Sequence, residues 1–335
     1  MQIFLRKLLS TIIYADLKFS KKFTGIKLEF EPSYLKLYES GESEGRIEKL
    51  YKILESCELC PRKCRVNRLE GKKGRCKSGE KLVVSSYFPH FGEEPELVGR
   101  YGSGTIFLTN CNLLCIYCQN YDISHLGYGE EVSTDEAAEM MLKLQNQGCH
   151  NINFVTPTHF APQLVKATEV AARRGLKLPI VWNCGGYENA EVIKLLDGIV
   201  DIYMPDIKYS ESEPAKKYSN ATDYFERCKE SVREMHRQVG DLKVNARGIA
   251  YRGLLIRHLV LPNGLAGSEK VLEFIAEELS KECYVNIMDQ YRPCGKAYEY
   301  EELSRSITSI EYSKVVNFAT KIGLHRGFSV GSFFI

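Results

Sequence analysis

Little in this sequence serves a membrane, a polyanion or a nucleotide cofactor. No apolar run reaches the roughly 20 residues that a bilayer-spanning helix requires. The opening MQIFLRKLLSTIIYADLKF is broken by Arg6, Lys7 and Asp16 and carries no small-residue cleavage site, so it reads as an amphipathic segment packed on the protein, and the chain is expected in the cytoplasm. A formal net charge of +2 over 335 residues gives no global field for gathering nucleic acid or anionic lipid, and neither partner is expected. No G-x-G-x-x-G follows the first predicted strand, which removes support for a dinucleotide-binding site.

What is present is a chain with 44% hydrophobic and 26% charged residues, long enough to bury a substantial core. Its twelve cysteines are many for a compartment in which disulfides are rare. Seven of them fall in two tight groups, Cys57, Cys60, Cys64 and Cys76, then Cys111, Cys115 and Cys118, which is how metal ligands are distributed. The remaining five, Cys149, Cys184, Cys228, Cys283 and Cys294, are scattered and read as small buried hydrophobes.

From about residue 104 onward short apolar runs alternate with amphipathic stretches. GTIFLT (104–109) reads as a strand, TDEAAEMMLKLQNQG (134–148) as a helix entered at Ser133 or Thr134 and ended by Gly148, and INFVT (152–156) as a strand,. APQLVKATEVAARRG, ENAEVIKLLDG and 223–239 then read as helices, and LPIVWNC, VDIYMPD and GLLIRHLVLP (253–262) as strands. A helix near 267–281, the strand YVNIMDQY (284–291) and a helix near 301–322 complete the pattern. Six strands each followed by a helix imply a parallel sheet with helices outside, closed as a barrel of (β/α) units or open and doubly wound. In both, function lies at the carboxyl ends of the strands. Residues 1–80 lack the repeat and carry the four-cysteine group, so they read as a small metal-stapled N-terminal region, with 81–335 forming the α/β core and a C-terminal helix.

Immediately after the first strand stands LTNCNLLCIYCQN (108–120), with Cys111, Cys115 and Cys118 at spacing C-x3-C-x2-C. Three thiolates on one loop can grip three corners of a [4Fe–4S] cube and leave the fourth iron open. A distant cysteine such as Cys149 or Cys184 would instead close the site as zinc or a saturated cluster. This motif, with Tyr117 before its last cysteine and QN after it, at the end of the first strand of a (β/α)6 pattern, resembles the radical S-adenosylmethionine (SAM) superfamily. Within it the chain is most similar to pyruvate formate-lyase activating enzymes and their uncharacterised relatives, over roughly residues 100–295.

The resemblance implies a partial (β/α)6 TIM-like barrel in which the open iron is chelated by SAM, and one electron cleaves the sulfonium to methionine and a 5′-deoxyadenosyl radical. It makes Cys111, Cys115 and Cys118 catalytic. YMPDIKY matches the family segment ending in D-x-K and puts Asp206 and Lys208 near the methionine moiety, where an ammonium suits a carboxylate. WNCGGYE resembles the family's D-T-N-G-F/Y turn, placing Asn183 and Cys184 where the family contacts SAM or a nearby cation, with Asn183 in place of the family's aspartate, which counts against a cation there. LLIRHLVLPN resembles I-R-x-V-V-P and makes Arg257 a SAM or substrate contact, with His258 beside it. The family's G-G-E after the second strand is replaced by VTPTHFAPQ, so Thr156 and Thr158 are the candidates to receive the SAM amino group. His159 reads equally as a site residue or as a satisfied structural histidine. Gln290, Tyr291, Arg292 and Cys294 are expected at the same rim.

The upstream CELCPRKCRVNRLEGKKGRC spaces Cys57, Cys60, Cys64 and Cys76 as a closed four-thiolate site, suited to an auxiliary [4Fe–4S] cluster or to zinc. Zinc ribbons usually pair two C-x2-C units, and one is present. The basic run from Arg65 to Lys81 offers a dock for an acidic electron donor such as flavodoxin or ferredoxin, or is a solvated loop around a metal. The function expected is hydrogen abstraction from a protein, peptide or small molecule. A non-catalytic iron–sulfur electron carrier or metal-stabilised binding protein is the alternative.

Overall fold

The computed structural model describes residues 30–328, so the amphipathic reading of the opening segment lies outside the described residues. From Pro32 onward the chain forms one compact unit. Six strands run parallel in the order β2 (Ser103–Leu108), β4 (Ile152–Val155), β5 (Ile180–Cys184), β6 (Ile202–Pro205), β8 (Ala250–Leu259) and β9 (Tyr284–Met288). Helices connect them on the outside, the right arrangement for strands buried on both faces. Every residue of β4, β5 and β6 is buried, which is why these strands read as continuous apolar runs rather than as alternating ones.

The sheet is not purely parallel as the repeat implied. Leu82–His90 (β1) pairs antiparallel with β2, and Glu130–Val132 (β3) pairs antiparallel with β1. Lys243–Val244 (β7) also pairs antiparallel with β8, and β9 pairs with β8 and not with β3 or β1, so among the described residues the sheet curls without closing and the architecture is a partial barrel. The curl is visible in one side chain. The carboxylate of Glu93 receives hydrogen bonds from Asn153 on β4 (3.1 Å), Asn183 on β5 (3.4 Å) and Arg257 on β8 (3.2 Å), which a flat sheet could not bring together.

Helix ends follow the local sequence. The helix Thr134–Asn146 is opened by a capping box between Ser133 and Glu136, and Gly148 leaves it at φ 90°, a conformation open to glycine without steric cost. Helices Ser33–Ser40 and Glu42–Lys52 precede the cysteine-rich segment. Tyr34, Leu50, Leu54 and Leu59 from this stretch are buried in the same hydrophobic cluster as the barrel helices, so residues 32–80 pack as part of the core.

Candidate active site at the carboxyl ends of the strands

The loop after β2 carries the three thiols. Two of its residues, Asn110 (φ 66°) and Leu114 (φ 56°), take left-handed backbone directly before Cys111 and Cys115. Non-glycine residues rarely do so, and such positions concentrate at sites that surrounding structure over-determines. Each thiol has a donor aimed at its sulfur: the Leu113 N–H at Cys111 (3.3 Å), the Ser219 hydroxyl at Cys115 (2.9 Å) and the Ser124 hydroxyl at Cys118 (3.2 Å). Burial pushes the Cys111 thiol up to about 12, with the neighbouring cysteines adding to the shift. A thiolate there needs a compensating cation, which a metal centre supplies. Tyr117 is buried, edge-on to Tyr209 and Tyr291.

All three thiols open onto one cavity of about 380 Å³, and its walls include Thr156, Asn183, Cys184, Asp206, Lys208, Arg257 and Gln290. Residues at or beyond the carboxyl ends of all six parallel strands are thereby gathered by the curl of the sheet. Thr156 sits at φ 62°, an outlier for a β-branched side chain. Asp206 and Arg257 are backbone neighbours across β6 and β8. Lys208 Nζ donates to Asp206 Oδ2 (2.6 Å), Arg257 Nε to Asp206 Oδ1 (2.8 Å) and Arg257 Nη2 to Asn183 Oδ1 (2.8 Å). Burial alone would raise the Asp206 carboxyl, but Arg257 and Lys208 outweigh it and hold it below the usual carboxylate range. Asp206 thus faces two cations, and the neighbouring acids Glu94 and Glu93 also act on Arg257. The Arg257 guanidinium is spent within this network, which leaves the remaining Lys208 protons as the mobile positive donor.

Several expected rim residues lie elsewhere. Thr158 is buried and its hydroxyl donates to Glu188 Oε1 (2.5 Å), so it does not face the cavity: one turn of 3₁₀ helix, Thr158–Phe160, carries it behind the strand end. His159 is fully enclosed, and its Nε2 donates to the Thr109 carbonyl (2.8 Å). His258 is structural, with both ring nitrogens satisfied by the Ile207 carbonyl (2.6 Å) and the Ser268 hydroxyl (2.8 Å). Tyr291 donates to the Leu303 carbonyl (2.7 Å), and neither it nor Arg292 nor Cys294 lines the cavity. Cys149 is remote from the three-cysteine loop, its thiol 3.8 Å from the Tyr101 carbonyl, whereas Cys184 is on the cavity wall and 2% exposed.

Glu93 is the site residue that motif reading misses. It stands in the turn after an antiparallel strand, and the only signal in sequence is the paired acid of GEEP. Burial raises its carboxyl, and Arg257 opposes that shift. The basic run is also less basic in space than in sequence. Arg68 is buried, and Arg65, Lys72 and Lys81 pair with Glu58, Glu70 and Glu131.

The family model for the Radical SAM superfamily matches residues 105–278, the span from β2 through the helix after β8. The chain belongs to the radical SAM superfamily. An uncharacterised protein of Methanocaldococcus jannaschii is 34% identical over 83% of this chain and 78% of its own length. Among solved structures, a radical SAM methyltransferase from Sphaerobacter thermophilus is similar over 66% of this chain and 65% of its own, at 11% identity and a TM-score of 0.45. The protein anSMEcpe with bound AdoMet is similar over 64% and 57%, at 15% identity and a TM-score of 0.44. The chain spans less than two thirds of either solved chain.

It is a radical SAM enzyme using SAM, and its family brings a [4Fe–4S] cluster and a need for a reductant. The residues present fit that cluster. Three sulfurs with directed donors share one cavity wall, and they are not all within 4.8 Å of one another, wider than a single zinc ion with Zn–S bonds of about 2.3 Å would draw them. Among the described residues no helix is long and apolar enough to cross a membrane.

Proposed function

We propose that Cys111, Cys115 and Cys118 hold the [4Fe–4S] cluster and that SAM occupies the adjoining cavity, the enzyme abstracting hydrogen from a protein, peptide or small-molecule substrate in the manner of pyruvate formate-lyase activating enzymes. Bound there, cluster and SAM supply one electron and a 5′-deoxyadenosyl radical. The observation that carries the reading is the meeting of three thiols with Asp206 and Lys208 on one cavity wall.

In this reading the protein's own groups bind, orient and exclude water. Ser219, Ser124 and the Leu113 amide stabilise negative charge on the sulfurs by charge-assisted hydrogen bonds. Lys208 offers its ammonium to the SAM carboxylate, and Asp206 fixes the direction of that ammonium. Thr156 and Asn183 present oxygen acceptors to the SAM amino group in place of the family's carboxylate. Phe107, Leu113, Val155 and Leu259, also on the wall, keep the reacting region dry, which protects a reactive species from side reactions. A low-potential donor of the flavodoxin or ferredoxin kind supplies the electron.

The test is anaerobic: reconstituted protein, dithionite and SAM, with 5′-deoxyadenosine and methionine measured by chromatography. Formation of both in equal amounts is expected. Protein carrying its full iron that forms neither sinks the reading, and a reduced electron paramagnetic resonance (EPR) signal indifferent to SAM would favour a non-catalytic electron carrier.

A further inference from the structure

The four upstream cysteines are not used by the reading above, yet they converge. Cys57, Cys60, Cys64 and Cys76 line one small cavity together with Arg62, Arg68, Arg75 and His159. The backbone is forced to bring them there. The Cys57 N–H donates to the Val66 carbonyl (3.0 Å) and the Arg65 N–H to the Cys57 carbonyl (3.0 Å), folding the segment back on itself. Lys63 (φ 42°), Arg65 (φ 54°) and Lys77 (φ 57°) are left-handed on either side of Cys64 and just after Cys76, costly conformations of the kind that cluster at functional sites. Gly74 lies so close to Cys64 that a Cβ would stand 2.7 Å from its Cβ and 2.8 Å from its Sγ. The Arg75 N–H donates to that same sulfur (3.3 Å).

The sulfurs are spaced more widely than in a zinc site. In a tetrahedral zinc site, Zn–S bonds of about 2.3 Å place sulfurs about 3.8 Å apart. No three of these four sulfurs lie within 4.8 Å of one another, and in this they match the three-cysteine loop. The one tight donor set among the described residues is His236, Asp241 and Cys283. There hydrogen bonds from His236 Nε2 (3.1 Å) and the Cys283 thiol (3.4 Å) to the same Asp241 oxygen account for the closeness.

A second, independent sign is His159. Its Nε2 donates to Thr109, and its Nδ1 is buried with no partner among the described residues. An orphaned buried nitrogen is costly, and here its residue forms part of the wall of a thiol-lined cavity. The shell of this cavity also reaches the catalytic loop. His159 bonds the residue two before Cys111. Arg62 Nε donates to the Asn112 carbonyl (2.9 Å) and Arg62 Nη2 to the Ser219 carbonyl (2.8 Å), while the Ser219 hydroxyl serves Cys115.

We propose that Cys57, Cys60, Cys64 and Cys76 bind a second [4Fe–4S] cluster, closed by four protein thiolates, which Arg62 and His159 fix against the three-cysteine loop. The three guanidinium groups on its wall offset part of the negative charge that four thiolates bring. The inference does not rest on SAM cleavage, because it concerns thiols outside the SAM cavity.

The full chain is reconstituted anaerobically with iron and sulfide, and iron, acid-labile sulfide and zinc are counted. About eight irons and eight sulfides per chain, without stoichiometric zinc, are expected for two cubes. The triple variant Cys111→Ala, Cys115→Ala, Cys118→Ala keeps about four irons, and the EPR signal of its reduced form is unchanged by SAM. The double variant Cys57→Ala, Cys60→Ala keeps about four irons whose signal still responds to SAM. Four irons in the wild type, one zinc per chain, loss of all iron from the triple variant, or a SAM response in it would each overturn the proposal. Should the double variant fail to fold, the wild type and the triple variant decide. A wild type with eight irons that forms no 5′-deoxyadenosine would defeat the SAM reading and leave this one standing.

Discussion

Asp206 balances the buried charge of the cavity, since Lys208 and Arg257 both donate to it. Asp206→Asn leaves two cations facing each other without the carboxylate they share. Removing one partner of a buried pair costs about 3–5 kcal/mol, so its denaturant midpoint is expected to fall, and the SAM-induced change in its EPR signal to vanish while its iron content holds. Glu188 carries a pH effect of the opposite kind. Burial pushes its carboxyl up to about 7, against the hydrogen bond from Thr158 that lowers it. A carboxyl raised in the folded state binds more protons there than when unfolded, so stability declines as pH rises from about 4.5 to 7 and the penalty is complete above. Glu188→Gln removes that penalty. Its melting temperature relative to wild type is expected to climb between pH 5 and pH 8, by an amount worth up to roughly 3 kcal/mol, and a pH-independent difference would refute the assignment. Both residues show what sequence can and cannot display: the D-x-K spacing pointed to Asp206, whereas nothing local to Glu188 or Glu93 marks a carboxylate that only burial makes unusual.

At the level of elements, helices with strong local signals were legible to within a few residues. Ser133 and Glu136 announce the helix Thr134–Asn146 because the cap is a contact between neighbours in sequence,. Ser133→Ala should cost about 1 kcal/mol, read as a melting-temperature shift with SAM cleavage unaffected. The antiparallel strand β1 was not legible. Its burial is mixed along LVVSSYFPH, so it shows neither the continuous apolar run of a buried strand nor clean alternation, and its pairing with β2 is a tertiary choice. In the cysteine-rich segment, Gly74→Ala places a Cβ against Cys64. A lower melting temperature is expected, together with loss of the cluster proposed at the four cysteines and retention of the iron proposed at Cys111, Cys115 and Cys118.

Across the described molecule, residues 32–80 are part of the core rather than an appendage to it. Tyr34, Leu50, Leu54 and Leu59 are each at most 4% exposed. Burying a large apolar side chain contributes about 1.5–3 kcal/mol, and four of them amount to a sum comparable with the 5–15 kcal/mol that typically separates folded from unfolded chains. A chain beginning at residue 81 is therefore expected to lose cooperative thermal unfolding by circular dichroism, and a sharp two-state melt of that fragment would contradict the packing described. By itself the sequence determined the repeating strand–helix order and the three-cysteine loop after the first parallel strand, because apolar runs, caps and ligand spacing act between residues close along the chain. The tertiary structure alone decided that the sheet stays open among the described residues, that Glu93 joins the charge network, that Thr158 and His159 turn away from the cavity, and that Arg62 and His159 link the two cysteine sets. The first two depend on how far a twisted sheet curls before its edges meet, and the others on contacts between residues far apart along the chain, neither of which a local pattern encodes.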